Sequence, residues 1–146
     1  MKHRTFPVLV LLLLTTACSK PADSGGTPPT PSGDGHTMGA HGKEQSLGNL
    51  TVGAHTFEVV QSGDVVPGKE SFFDLHLAKD QPAPAVVRGW LGVESGEGSM
   101  RARFGKEGDH GLHAHIETPK VPPAGSKLWI EVEHDGKTTR GAIAWK

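Results

Sequence analysis

The chain has no tyrosine, five phenylalanines and three tryptophans, so aromatic residues make up only 5% of it. That scarcity excludes a Tyr-lined platform for sugars or nucleotides. A single cysteine, Cys18, excludes an intramolecular disulfide, so a folded core must hold by packing alone. An excess of one charge is missing as well. The formal net charge is −1, and no concentrated basic stripe offers the footprint that nucleic acid needs. No stretch carries apolar residues at helical spacing through three turns, which weakens any helical reading. The apolar run Phe6–Leu14 is too short to cross a membrane. Absent too are G-x-S-x-G, H-E-x-x-H and a glycine-rich phosphate loop, so the chain reads as non-enzymatic.

What is present begins at the N-terminus. Met1-Lys2-His3-Arg4 precedes the apolar run, and Thr15-Thr16-Ala17 separates the run from Cys18. A basic start, a short apolar stretch and small residues form a secretory signal. With Cys directly after the small residues, the pattern resembles the lipobox of bacterial lipoproteins, with Leu14 one position ahead of the family's usual leucine. The resemblance implies cleavage before Cys18, acylation of its thiol with palmitate-like chains and acylation of the new amino group. Three acyl chains anchor firmly, each buried methylene contributing ~0.8 kcal/mol. Ser19 in the following position implies the outer membrane, at its periplasmic face or at the cell surface.

Composition then divides the chain into a signal over 1–17, a tether over 18–47 and a folded domain over 48–146. The tether is rich in Pro, Gly and Ser and has little to bury, as in Pro21-Ala22-Asp23-Ser24-Gly25-Gly26-Thr27-Pro28-Pro29. Beyond it, short alternating runs predict seven strands over 49–61, 70–79, 85–94, 98–105, 111–117, 126–134 and 138–145. Turn residues divide them, and Asp135-Gly136 is a strong two-residue hairpin signal. Alternation turns Phe73, Leu75, Leu77, Met100, Ala102, Phe104, Leu112, Ala114, Ile116, Leu128, Ile130 and Val132 inward. Asp74, His76, Arg101, Arg103, His113, His115 and Trp129 turn outward; Trp145 packs in the core, and Trp90 is ambiguous. One apolar and one polar face per strand predicts an all-β, immunoglobulin-like β-sandwich, with a small open barrel as the alternative.

The segments Gly63-Asp64-Val65-Val66-Pro67-Gly68-Lys69-Glu70, Gly98-Ser99-Met100-Arg101-Ala102, His113-Ala114-His115-Ile116-Glu117 and Pro123-Ala124-Gly125-Ser126-Lys127-Leu128-Trp129 carry a further likeness. Residues 48–146 resemble a small immunoglobulin-like domain of bacterial envelope lipoproteins, also attached to periplasmic adaptor subunits of heavy-metal efflux pumps. These are mostly turn and core positions. The resemblance implies an envelope accessory domain tied to metal handling; the adaptor's long hairpin and lipoyl-like parts are missing, so pump coupling does not carry over, and an envelope protein such as an efflux component is the candidate partner.

Two histidine groups carry metal chemistry. His36, Met38 and His41 place two imidazoles and a thioether within six residues, a set that suits copper. His113 and His115 stand on one strand face about 7 Å apart, two residues at the extended rise. A third ligand there would come from His76 or Glu117. If the run 98–105 pairs with 111–117 as a hairpin, Arg101 and Arg103 flank this second pair and repel a cation. The tether set is therefore the expected metal site. Two functions follow: a lipid-anchored accessory protein binding or delivering copper or another transition metal, or an envelope interaction module with no metal role, docking through a sheet face or edge.

Overall fold

A computed structural model describes residues 42–146. They form nine strands: β1 (Glu44–Val52), β2 (His55–Ser62), β3 (Glu70–Leu77), β4 (Val86–Gly92), β5 (Ala102–Arg103), β6 (Gly105–Glu107), β7 (Gly111–Glu117), β8 (Lys127–His134) and β9 (Lys137–Ile143). Every pairing is antiparallel. Sheet A runs β1-β2-β3-β7-β6 and sheet B runs β5-β4-β8-β9. With β2, β3, β7 and β6 taken as A, B, E and D, and β4, β8 and β9 as C, F and G, this is the strand order of the immunoglobulin sandwich. β5 is a short added strand beside C, and β1 extends sheet A by one.

Between the sheets lies the apolar core. Phe57, Val59, Phe73, Leu75, Ala114 and Ile116 from sheet A meet Val87, Leu91, Leu128, Ile130 and Val132 from sheet B. These are the alternate positions of strands whose other faces are polar, as period-two patterning requires. Gly89 is packed too tightly for a side chain, since a Cβ there would meet Phe104 Cε2 at 2.7 Å and Ile116 Cδ1 at 3.1 Å. The buried Gln61 side chain donates to the carbonyls of Gly63 (2.8 Å) and Lys146 (2.9 Å) and accepts from the Lys146 amide (3.1 Å), tying the last residue to β2.

The turns follow local chemistry. Asp135 (φ 49°) and Gly136 (φ 71°) close the β8–β9 hairpin as a two-residue loop with both central residues left-handed. The run 49–61, expected as one strand, is a second two-residue hairpin, with Val52 opposite His55 across Gly53 and Ala54. Gly53 (φ 61°) takes the conformation that lets the chain reverse. β1 also begins at Glu44, ahead of the expected boundary at 48.

The run 98–105 departs furthest from expectation. It makes no hairpin with 111–117. Ala102–Arg103 pair with β4 in sheet B, Arg103 lying opposite Arg88. The chain then crosses at buried Phe104, whose amide donates to the Val87 carbonyl (3.0 Å), and Gly105–Glu107 join β7 in sheet A. Met100, expected inward, is 63% exposed because it precedes the paired segment.

Candidate metal centre

Three of the five strands of sheet A, in register, build the part of its outer face around His113. β3 sends Glu70, Phe72 and Asp74 outward, opposite Glu117, His115 and His113 of β7. On the far side of β7, β6 places Gly105 opposite His113 and Glu107 opposite Gly111. These pairings make His113 the centre of a half-buried cluster. Its Nδ1 lies 2.6 Å from Asp74 Oδ1 and 3.9 Å from Glu107 Oε2. One donor atom from each of Asp74, Glu107 and His113 falls within 4.8 Å of the others. His115 adjoins, its ring edge-on to that of His113 at 5.1 Å and to Phe72 at 4.8 Å, with Nδ1 3.5 Å from Glu70 Oε2.

Charge is divided between the two outer faces. Among the described residues, the ion pairs of Asp74, Glu107 and Glu70 are with imidazoles. The arginine ion pairs lie on sheet B, where Glu131 holds Arg140 Nε at 2.8 Å, Arg88 at 3.5 Å and Arg101 at 3.6 Å. Arg101 also lies over the Trp90 ring, 4.6 Å from its centroid, and Trp129 stacks beside it at 6.3 Å. Trp90 is thus wholly buried on the outside of a sheet, under arginines rather than in the core, with its indole N–H donating to the Val93 carbonyl (2.7 Å).

This arrangement corrects the expected surroundings of the sheet histidines. Arg103 lies in β5 of sheet B, and Arg101, just ahead of β5, pairs with Glu131 of β8; neither flanks His113 and His115, so the electrostatic objection to a cation at that pair is removed. The expected third ligands do not serve: His76 lies opposite Gly111 at the end of β3, and Glu117 opposite Glu70. Asp74 and Glu107 take that place. Alternation had already turned Asp74 outward, so the register of β3 on β7 alone would have found it. Glu107 depends on β6, which no apolar pattern announces. His36, Met38, His41 and Cys18 lie outside the described residues.

Chemically, one imidazole and two carboxylates with a second imidazole adjoining can hold a divalent ion of borderline softness. No family model, curated protein or solved structure matches the chain.

Proposed function

We propose that the chain is a lipid-anchored accessory protein of the bacterial envelope that binds a transition metal ion and catalyses no reaction of its own. The observation that carries the metal half is the cluster of His113, Asp74 and Glu107, in which both carboxylates pair with the His113 imidazole. The anchoring half rests on the apolar run followed by Cys18, and the tether set of His36, Met38 and His41 adds a softer ligand group suited to copper. Anchored at the periplasmic face of the outer membrane or at the cell surface, the protein would buffer an ion or pass it to an envelope partner such as an efflux component.

Calorimetric titration of the mature chain with Cu(I), Cu(II) and Zn(II) tests the metal half. The expected result is saturable binding of at least one of these ions tighter than about 10 µM. Weaker binding of all three would leave the second reading, an interaction module. That reading has its own support on sheet B, where Arg101 and Arg140 lie over Trp90 and Trp129 stacks beside it, the residue types that anchor protein interfaces.

A further inference from the structure

The metal reading names a protein that binds an ion; the geometry of sheet A goes on to a particular ion class, and the step rests on that reading. We infer that the outer face of sheet A holds one divalent ion of the Zn(II) class between Asp74 of β3, Glu107 of β6 and His113 of β7, with His115 as the fourth donor, and rejects Cu(I).

Four arguments support it. The first is distance. Tetrahedral zinc with ligands at ~2.0–2.2 Å sets its donors roughly 3.3–3.6 Å apart. The His113–Asp74 and His113–Glu107 separations of 2.6 and 3.9 Å bracket that spacing. Small rotations of three partly exposed side chains therefore open one gap and close the other, with no movement of the backbone. The ion takes the position of the proton that joins His113 Nδ1 to Asp74, so loading displaces that proton.

Orientation is the second argument. Glu70 lies against His115 Nδ1, and a carboxylate there favours the tautomer whose lone pair is on Nε2. Metal-bound histidines are commonly fixed in this way by an outer carboxylate. The third is charge. Asp74 and Glu107 together neutralise a divalent ion, and the arginine ion pairs lie on the opposite sheet. The fourth is softness. Carboxylate oxygens with imidazole nitrogens suit Zn(II), Co(II) and Cu(II), whereas Cu(I) seeks thioether or thiolate. The imidazoles equally set the site apart from the all-oxygen cages of Mg(II) and Ca(II).

The test is Zn(II) competition against a chromogenic chelator, using the mature chain and four variants. Asp74→Asn and His113→Gln should each weaken Zn(II) binding by about tenfold or more, the scale on which even outer partners of a metal site act. Glu107→Gln, on an exposed edge strand, should weaken it by a smaller factor. Joint replacement of His36, Met38 and His41 by Ala should remove Cu(I) binding and leave Zn(II) affinity within about twofold. Zinc should also move the 15N resonances of His113 and His115 in the unmutated protein, a readout that does not depend on any variant folding.

If Asp74→Asn and His113→Gln hold Zn(II) as the unmutated chain does, and the resonances stay still, the cluster is a hydrogen-bonded ion pair only. The inference then falls, while the metal reading stands if the joint variant has lost its ion. Absence of Zn(II), Cu(II) and Cu(I) binding tighter than about 10 µM in the unmutated chain overturns both.

Discussion

Glu131 is the strongest electrostatic commitment of the domain, and its removal should be felt. The side chain is 6% exposed and takes one short charge-assisted hydrogen bond from Arg140 Nε at 2.8 Å. Arg88 and Arg101 stand further off, at 3.5 and 3.6 Å, and each is more than a third exposed. Hydrogen bonds to charged groups contribute about 1.5–3 kcal/mol, roughly twice the neutral kind, while exposed ion pairs contribute about 0.2–1 kcal/mol. Glu131→Gln keeps an oxygen for Arg140, so the short bond loses about half its value and the two longer pairs lose theirs. The sum is a destabilisation of about 2 kcal/mol. For a domain of this size that lowers Tm by roughly 10 °C.

Glu133 is the matched control on the same strand. It is 43% exposed and meets only Arg88, at 3.5 Å. Glu133→Gln should cost less than about 0.5 kcal/mol. Thermal unfolding followed by circular dichroism reads both. Tryptophan emission should red-shift before unfolding in Glu131→Gln alone, because Arg101 and Arg140 cover Trp90 from the Glu131 side. High salt should erase the small Glu133 effect and leave most of the larger one, since the buried carboxylate is poorly screened. Equal losses in the two variants, or a loss below about 0.5 kcal/mol for Glu131→Gln, would refute the reasoning.

Gly89→Ala should destabilise by about 1–3 kcal/mol in urea unfolding, because its Cβ would press on Phe104 and on Ile130 Cδ1 at 3.3 Å. Gln61→Met keeps the volume but removes the three bonds to Gly63 and Lys146, and hydrogen exchange should show the end of the chain opening, with a loss of about 1–3 kcal/mol. Metabolic labelling with a palmitate analogue should mark the unmutated protein and not Cys18→Ala; equal labelling would end the anchoring reading.

Strand faces were legible in the sequence because burial on one side imposes a period of two, which β3 carries without interruption and β7 and β8 carry over part of their length. Asp135-Gly136 was legible for a local reason, since few dipeptides accept two left-handed residues in succession. The first hairpin was harder to see, though its signal exists. Leu50 and Val52 are even-numbered while Phe57 and Val59 are odd, yet all four are buried on one face. A loop with an even number of residues between them reconciles that change of parity, and Gly53-Ala54 is that loop. Trp90 could not be placed by alternation, because what buries it is the arginine pair above the ring, a contact made by residues on β9 and next to β5.

The candidate site was half legible, and the missing half has one origin. Residues 98–105 look like a single alternating run, and a single run would carry Arg101 and Arg103 along one sheet. Phe104 instead turns into the core and passes the chain from sheet B to sheet A within a few residues. The arginines before it stay with Glu131 and Trp90, and the carboxylate after it reaches His113. Had the run stayed in sheet A, two guanidinium groups would stand beside the imidazoles and a cation would be repelled. The crossing therefore does two things at once. It closes one side of the sandwich with strands of two and three residues, too short to invite edge pairing. It also sorts the charges so that one outer face is arginine over tryptophan and the other is imidazole among carboxylates. The identity of residue 104 thus bears on the chemistry of both faces: a polar residue there would loosen the crossing and the position of Glu107 with it, taking one of the two carboxylates from His113.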